Sequence, residues 1–299
     1  MQNGRYSTCI SLDYAMDEGN HVLLAYKMND LPLPPDHGYP VRAMIPGYVG
    51  GRCVKWLKRV WLSDTENDSW YHIWDNRVLP SFVHDADSRF AELLFRHPDT
   101  ACNEQNLNSV IVRPQQGERI YLLDAGGRDN GSGGTRSEYR IEGYAYDGGG
   151  HEVQRVEVSL DNGNSWLYCV RKYPDMPIRH GKKFWTWCHW HVDVPMVRMV
   201  QARSILARCF NVFKNSQPRD PAWNIKGVMN NCWYEIRAEI VPASDDDHDS
   251  GFGSEVESRS SESESDRGAY VLFRHPVEPG IGDGGWKKDS VGNQIDAAK

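Results

Sequence analysis

The sequence contains no long apolar run. Among its 299 residues, no stretch approaches the roughly 20 consecutive apolar residues that a membrane-spanning helix needs. The first segment, Met1–Cys9, is polar and lacks the apolar core of a signal peptide. We therefore expect a soluble, cytoplasmic protein with no membrane partner.

Paired cysteines are absent as well. The chain has seven cysteines, an odd number, and no two of them form a C-x-x-C pair. This spacing argues against a structural zinc site or a thioredoxin-like redox motif. Reduced thiols in a cytosolic protein are the simplest interpretation.

The chain has no excess of positive charge. Its formal net charge of -7 argues against a nucleic-acid partner, which usually meets a basic face. The hydrophobic fraction of 39% is a little low for a compact enzyme. Part of that deficit lies in Ser244–Arg267, an acidic, serine-rich segment that we expect to be disordered. A second segment, Ala125–Thr135, is glycine-rich and predicted to be flexible.

The first part of the chain mixes short elements. Apolar and β-branched runs predict three strands, over His21–Met28, Val41–Ile45 and Cys53–Leu62. The last two flank a tight loop that contains Pro46-Gly47 and Gly50-Gly51. Ser63–Trp74 is predicted to be a loop, and Phe90–Phe95 a short helix.

From about Leu107 onward, short β-type runs recur with turn signals between them. The run Arg155–Leu160 alternates apolar and polar residues and enters Asp161-Asn162-Gly163, which predicts a hairpin. Seven or eight strands at this spacing favour a sandwich of immunoglobulin type. The predicted strands are Ser109–Val112, Tyr139–Tyr146, Val153–Leu160, Trp166–Val170, Phe184–Val192, Ser204–Phe213, Cys232–Val241 and Tyr270–Phe273. The fold class is therefore predicted to be mainly β.

One short stretch gathers potential cations in this acidic chain. These residues are His37, Arg42, Arg52, Lys55 and Lys58. Glycines among them let backbone N–H groups approach a phosphate or another anion, and the basic side chains would neutralise its charge. A β-hairpin whose basic residues are merely solvated explains the composition equally well.

Longer strings in this region resemble a known family. HGYPVR and PGYVGGRCVKWLKR, with YSTCISLDYAMDEGNHVLLAYKM before them and NDSWYHIWDNRVLPSFV after them, are similar to the end of the molybdopterin domain of eukaryotic nitrate reductases and sulfite oxidases. The resemblance implies that His37 and Arg42 hold the molybdenum-pterin cofactor. It also places Cys53, Val54 and Lys55 at the cofactor, with Lys55 reaching the pterin phosphate.

The second half resembles the dimerisation domain of the same family. The matching strings are EGYAYDGGGHEVQRVEVSLDNGNSW, FWTWCHW and NSQPRDPAWNIKGVMNNCW. The resemblance implies an immunoglobulin-like fold that builds a homodimer. It divides the chain into an α+β remnant of the molybdopterin domain over residues 1–95 and a dimerisation domain over 106–282, with the acidic insert at 244–267 and a tail at 283–299.

The resemblance also points to a substrate residue. FWTWCHW and MNNCW resemble nitrate reductase more than sulfite oxidase. Sulfite oxidases carry an Arg at the substrate pocket where this chain has Lys226, and nitrate reductases usually carry a Met. A cation suits either oxyanion in a dry pocket. We therefore expect Lys226 to contact an anionic substrate, nitrate or sulfite.

Two departures from the family limit the prediction. None of the seven cysteines lies in the context of the family's molybdenum ligand, and Cys9 stands where the family has a Ser. Because the molybdenum ligand is missing, the cofactor site is expected to be partial. The haem and flavin domains of full nitrate reductases are also not found, so we expect the chain to be a fragment. The predicted function is nitrate-to-nitrite oxygen-atom transfer; a non-catalytic dimerisation module and a sulfite oxidase-like enzyme are the alternatives. His189 and His191 share one strand face, but a zinc site there lacks a third ligand.

Overall fold

The computed structural model describes residues 6–122, 138–173, 180–242 and 268–276. The predictions for Ala125–Thr135, for the acidic insert and for residues 283–299 lie outside these ranges. No helix among the described residues is both long and apolar enough to cross a membrane.

The first part of the chain is built from short elements joined by ordered loops. Its strands pair antiparallel in two small sheets, β1 with β4 and β2 with β3. The elements are helix α1 (Leu12–Met16), a 3-10 helix at Glu18–Asn20, β1 (Leu23–Ala25), β2 (Lys27–Met28), β3 (Leu31–Pro32), a 3-10 helix at Pro35–His37, β4 (Arg42–Met44), a 3-10 helix at Gly50–Arg52, a π-helical turn at Tyr71–Asp75, α2 (Arg89–Phe95) and a 3-10 helix at Pro98–Thr100.

A small apolar core stabilises this part. Ser88 caps α2, because its hydroxyl oxygen accepts a hydrogen bond from the Ala91 N–H (3.1 Å). The helix then presents Ala91 and Phe95 to Leu79 and Val83, and all four side chains are buried. The short predicted helix at Phe90–Phe95 is thus confirmed.

The second part is a sandwich of two antiparallel sheets. One sheet has four strands in the order β10-β11-β7-β5, and the other has six in the order β6-β14-β13-β12-β8-β9. The elements are β5 (Asn108–Arg113), β6 (Arg119–Tyr121), β7 (Glu138–Tyr146), β8 (Val153–Ser159), β9 (Leu167–Tyr168), β10 (Val170–Lys172), β11 (Cys188–Pro195), helix α3 (Met196–Gln201), β12 (Ser204–Asn211), β13 (Tyr234–Pro242) and β14 (Ala269–Arg274).

Both sheets contribute side chains to one shared core. Ile141 and Trp190 from the four-stranded sheet belong to the same buried cluster as Val156, Ile205 and Phe273 from the six-stranded sheet. Alternate residues of β7 are buried from Tyr139 to Ala145, as a period of two requires. The mainly β prediction is therefore confirmed.

The predicted hairpin is also confirmed, and the strand that follows it changes sheets. β8 pairs with β9 through a turn in which Asn162 and Gly163 both have positive φ angles (60° and 84°). The run Trp166–Val170, predicted as one strand, is divided at the buried Cys169. β9 pairs in the six-stranded sheet and β10 in the four-stranded one, so the chain crosses the sandwich at Cys169.

Three predictions for the first part are wrong. His21–Met28 is not one strand, because it contains β1 and β2, which pair in different sheets. Cys53–Leu62 forms no strand, because Trp56 adopts a positive φ of 51° that turns the chain. Two backbone hydrogen bonds, from Ala43 N–H to the Val54 carbonyl (2.9 Å) and from Leu57 N–H to the Val41 carbonyl (2.8 Å), hold this segment beside β4 without forming a strand. Ser63–Trp74 is not wholly a loop either, since its last residues enter the π-helical turn.

Candidate functional site

Arg42 joins the two segments that carry the predicted cofactor residues. β4 holds its backbone opposite Ala25 of β1, so the side chain projects from a paired strand. Its Nη1 donates to the carbonyl oxygen of His37 (3.1 Å), and its Nη2 donates to the carbonyl oxygen of Cys53 (3.3 Å). One guanidinium thus fixes the 3-10 helix before β4 against the loop after it.

Lys55 closes the same site from the other side. Its Nζ donates to the carbonyl oxygen of Asp36 (2.9 Å) and lies 4.5 Å from the centre of the Trp56 ring. The Trp56 indole N–H donates to the carbonyl oxygen of Pro35 (2.8 Å). The turn at Trp56 therefore folds the segment back onto the 3-10 helix at Pro35–His37.

Gly38 allows this close packing. Its φ is +109°, and a Cβ there would lie 3.0 Å from the Cβ of Lys55 and 3.2 Å from that of Arg42. The backbone of Gly38 therefore packs closely against both cationic side chains, and a residue with a Cβ would not fit there without displacing them. We call His37, Gly38, Arg42 and Lys55 the cradle.

The cradle keeps polar groups available to a ligand. His37 and Lys55 are exposed, and within the described chain the His37 ring has no hydrogen-bond partner. The Nε of Arg42 is buried and also has no partner. Because a buried donor without an acceptor is costly, Arg42 has room for one more acceptor. These donors and positive charges fit the phosphate and carbonyl oxygens of a pterin cofactor.

Cys53 and Val54 shape the cradle through packing and backbone bonds. The Cys53 thiol is buried and donates to the carbonyl oxygen of Ile45 (3.6 Å), while the Ile45 N–H donates to its sulfur (3.4 Å). The sulfur is therefore held against the backbone of Ile45, directly after β4. Val54 accepts the Ala43 N–H, which holds the loop beside that strand.

Arg52 counts among the cations expected to neutralise an anion or face solvent, and the structure contradicts both expectations. Its side chain is only 1% exposed and points into the protein. Its Nε donates to the carbonyl oxygen of Cys102 (2.8 Å), and its Nη1 lies in hydrogen-bond contact with the Thr8 hydroxyl and 2.6 Å from His72 Nδ1. Burial lowers the pKa of this guanidinium. Arg52 therefore anchors the loop that carries Cys53, Val54 and Lys55.

Sequence reasoning missed the polar network on which Arg52 rests. Glu66 accepts a hydrogen bond from Arg77 Nη2 (2.7 Å), and its same oxygen lies 2.6 Å from His72 Nε2. His72 and Arg77 are both buried. The sequence does contain two arginines and a histidine near one glutamate, but their spacing does not predict a cluster. The π-helical turn at Tyr71–Asp75 brings them together.

The charges in this network determine its protonation. Burial pushes the pKa of Glu66 upward, but hydrogen bonds and charges from His72 and Arg77 outweigh it, so the pKa is lowered. Burial also lowers the pKa of His72, with the charges of Arg52 and Arg77 acting in the same direction against Glu66. Glu66 is thus ionised and His72 neutral near pH 7.

Lys226 contacts two aromatic rings that are not part of the cradle. Its Nζ is 5.9 Å from the centre of the Trp70 ring and 5.6 Å from that of Phe95. The buried Asn224 organises its turn by accepting the Lys226 N–H (3.2 Å) and donating to the Val228 carbonyl (2.9 Å). The described contacts of Lys226 thus place a loop of the sandwich against the first part of the chain.

Among the described residues, the histidine pair on β11 has no third ligand that would complete a metal-binding cluster. His189 stands opposite Lys172 and Tyr144, and His191 stands opposite Val170 and Glu142. Across the ranges that the structure describes, only Cys9, Glu66 and His72 gather three ligand atoms within 4.8 Å of one another.

Comparison with family models divides the chain in two. Residues 1–71 match the oxidoreductase molybdopterin binding domain, and residues 99–241 match the Mo-co oxidoreductase dimerisation domain. The first match contains the cradle, and the second contains most of the sandwich.

Curated relatives match nearly the whole chain. "Nitrate reductase [NADH] 1" of Oryza sativa subsp. japonica is 39% identical over 282 residues, covering 94% of this chain and 27% of the relative. "Nitrate reductase [NADH] 1" of Arabidopsis thaliana gives the same identity and coverage. "Nitrate reductase [NAD(P)H]" of Hordeum vulgare is 38% identical over 94% of this chain and 28% of its own length. The chain thus spans about a quarter of these relatives.

A solved structure shares the fold. The sulfane dehydrogenase SoxCD from Paracoccus pantotrophus superposes with a TM-score of 0.54 at 22% identity, covering 76% of this chain and 50% of that one. At that identity the likeness concerns the fold alone. The family models and the curated relatives together show that this chain belongs to the molybdopterin oxidoreductases, with residues from their molybdopterin binding domain joined to their Mo-co dimerisation domain.

Proposed function

We propose that this chain forms one wall of the cofactor site and the dimerisation module of a nitrate reductase that converts nitrate to nitrite. The observation that carries the proposal is the cradle, where Arg42 ties His37 to Cys53 and keeps a buried Nε without an acceptor. The nitrate reductases to which the chain is similar supply the substrate class.

Each cradle residue has a part in holding the cofactor. Arg42 would donate its free Nε to a cofactor oxygen, and the exposed Lys55 would neutralise phosphate as a compact charge. His37 would contribute a ring N–H at the rim. When bound, molybdopterin supplies the molybdenum that carries out oxygen-atom transfer.

Lys226 would attract the substrate oxyanion. Its ammonium group sits over Trp70 and Phe95, and none of the carboxylates in the described ranges forms an ion pair with it. Its charge therefore stays available to nitrate, or to sulfite if the enzyme runs on that oxyanion.

Titration calorimetry with a phosphorylated pterin tests the cradle. We expect the purified chain to bind this probe, and Arg42→Ala to weaken binding by roughly tenfold or more because a charged donor pair is lost. Arg59→Ala is the matched control, since Arg59 is an exposed arginine of the same segment. Equal loss in both variants would show nonspecific attraction and contradict the proposal.

Metal analysis tests the partial site separately. Because no described residue is proposed as a molybdenum ligand, the purified chain should hold substoichiometric molybdenum. A full, tightly held equivalent would mean that the chain contains a metal ligand we have not assigned.

The sandwich is proposed to be immunoglobulin-like and to pair two cytoplasmic copies of this chain. Support comes from the dimerisation-domain match and from exposed apolar side chains on the strands, Val112, Val170 and Ile240 among them. Sedimentation equilibrium should give twice the chain mass of 34.1 kDa. A monomer at micromolar concentration would refute the pairing.

A further inference from the structure

The loop that carries Lys226 begins and ends on the sandwich. It follows β12 and leads into β13, and we call residues 218–233 the Lys226 loop. At its base, the backbone N–H of Trp233 donates to the Pro218 carbonyl oxygen (2.9 Å), and the indole N–H of Trp233 donates to the Gln217 carbonyl oxygen (3.0 Å). The two ends of the loop are therefore bonded to each other.

The side chain of Gln217 fixes this base to the sandwich. Gln217 is only 2% exposed. Its Oε1 accepts hydrogen bonds from the Ser109 hydroxyl of β5 (2.6 Å) and the Cys209 N–H of β12 (3.0 Å). Its Nε2 donates to the carbonyl oxygens of Asn231 and Cys232, at 3.0 Å each. Because the loss of buried hydrogen bonds is costly, the base of the loop is held in one place.

Asn224 shapes the tip of the loop. It is 8% exposed, and its carbonyl oxygen accepts the Gly227 N–H (2.9 Å), which closes a turn. Its Oδ1 accepts the N–H groups of Lys226 (3.2 Å) and Val228 (3.4 Å), and its Nδ2 donates to the Val228 carbonyl oxygen (2.9 Å). One side chain thus fixes the backbone at Lys226 and two residues beyond it.

The turn directs two neighbouring side chains into the first part of the chain. Ile225 is half-buried and packs against the small apolar core around α2, which includes Phe95. The Lys226 ammonium group lies 5.6 Å from the centre of the same Phe95 ring and 5.9 Å from the centre of the Trp70 ring. The place of the ammonium group therefore depends on the turn that orients both residues.

Contacts of the Lys226 side chain are too weak to hold it by themselves. A lysine has a flexible four-carbon stem that loses rotamer freedom when its end is fixed. The attraction between an ammonium group and an aromatic ring is modest where water has access. The backbone must therefore supply much of the positioning.

We propose that Asn224 is a positioning residue for substrate recognition, because it holds the backbone from which Lys226 reaches the oxyanion. Both polar atoms of its side chain are engaged within the turn, so Asn224 acts through Lys226 and not by contact with the substrate. This inference rests on the proposed role of Lys226 and adds to it the residue that fixes its location.

The same turn occurs a second time in the sandwich and offers a matched control. Asn211 is 3% exposed, and its Oδ1 accepts the N–H groups of Phe213 (3.0 Å) and Asn215 (3.1 Å). Its carbonyl oxygen accepts the Lys214 N–H (3.0 Å). Lys214 and Gly227, the fourth residues of the two turns, have similar positive φ angles of 67° and 63°. The Asn211 turn carries no proposed substrate residue, so its loss reports the effect on stability alone.

Steady-state kinetics of the holoenzyme that contains this chain test the proposal. We expect Asn224→Ala to raise KM for nitrate by about five- to tenfold and to change kcat by less than about twofold, because weaker positioning reduces substrate binding. Asn224→Ser should recover part of the affinity, since a serine hydroxyl forms the same turn more weakly. Asn211→Ala should lower the thermal midpoint by a similar amount and leave KM unchanged. An equal rise in KM for the two alanine variants would overturn the proposal.

A double variant tests whether Asn224 acts through Lys226. In the Lys226→Met background, Asn224→Ala should raise KM no further, because the group that it positions is gone. A further rise as large as that in the single variant would show that Asn224 acts independently, which contradicts the proposal.

Amide hydrogen exchange checks the turn without a bound cofactor. In the full chain, exchange at the Lys226 and Val228 amides should be faster in Asn224→Ala and unchanged in Lys226→Met. Slow exchange in Asn224→Ala would mean that the turn forms without this side chain, and the proposal would fail.

The single variants distinguish this inference from the proposed function. If Lys226→Met leaves KM unchanged, Lys226 does not meet the substrate and both proposals fail. If Lys226→Met raises KM and Asn224→Ala does not, only the role given to Asn224 fails.

Discussion

Gly47 and Gly148 touch so closely that a single Cβ on Gly47 would lie 1.8 Å from the Gly148 carbonyl oxygen. The same Cβ would be 2.8 Å from the Trp185 ring, and Gly47 has a φ of +77°. The Gln105 N–H donates to the Gly47 carbonyl (2.8 Å). The loop after β4 is therefore packed directly onto the sandwich.

This contact predicts that Gly47→Ala destabilises the chain by at least about 2 kcal/mol, because it adds a backbone clash to a strained φ. Thermal unfolding should occur at a midpoint lowered by roughly 4 °C or more. Gly50→Ala is the control, since a Cβ there meets nothing within 4 Å. Equal midpoints for the two variants would mean that the loop moves away from the sandwich at little cost.

Gly38→Ala should weaken cofactor retention more than it weakens the fold. An added Cβ would press on Lys55 and Arg42 at 3.0 and 3.2 Å. Gly117→Ala is the matched control, because Gly117 also has a positive φ (+76°) but an added Cβ there would meet open space. Both variants should lose about 1 to 2 kcal/mol of stability from backbone strain. Only Gly38→Ala should bind a phosphorylated pterin less tightly, as measured by calorimetry.

Lys226→Met should impair recognition of the oxyanion in the holoenzyme that contains this chain. Loss of one charged contact predicts a roughly tenfold rise in KM for nitrate. Lys182→Met, which removes an exposed lysine, should leave KM unchanged. Steady-state rates with nitrate and with sulfite test this prediction. An unaltered preference between the two substrates would contradict the proposal that Lys226 contacts the substrate.

Because His72 is buried, we expect the folded chain to lose stability as the pH falls. Burial holds its folded-state pKa below the unfolded value of about 6.5, so the unfolded chain binds the proton more readily. The free energy of unfolding contributed by neutral His72 is therefore complete above about pH 6.5 and declines as the pH falls below that value.

Chemical denaturation between pH 7.5 and 5 measures this dependence. In His72→Gln the decline attributable to this group should disappear, since an amide does not titrate. His189→Gln serves as the control, because His189 is exposed on β11 and its removal should leave the curve unchanged. An identical curve for wild type and His72→Gln would show that another group is responsible.

Local sequence patterns predicted most of the sandwich correctly. Alternation over Arg155–Leu160 and the turn at Asp161-Asn162-Gly163 specify a hairpin because strand periodicity and positive φ are local properties. The division of Trp166–Val170 between two sheets was not predictable. It depends on which strands pair with Leu167 and Val170, and a five-residue apolar run does not specify those partner strands.

The cradle was predicted in part. The cations between His37 and Lys55 were recognised by composition and by the resemblance to molybdopterin domains, but Arg52 was placed with them wrongly. The sequence alone does not show whether an arginine side chain faces solvent or a buried histidine. Only the packing of Thr8, Cys102 and the π-helical turn makes the interior position of Arg52 favourable.

The sequence by itself determined the family, the mainly β character and the cationic stretch at His37–Leu57, since strings of specific residues and short-range periodicity suffice for these. The tertiary structure alone decided that Arg42 bridges His37 and Cys53, that Arg52 anchors the loop from within, and that Cys9 meets His72 across 63 positions of chain. Those relationships depend on how segments pack against one another, because burial of apolar surface and hydrogen bonds to the buried charged groups must together offset the cost of removing charge from water.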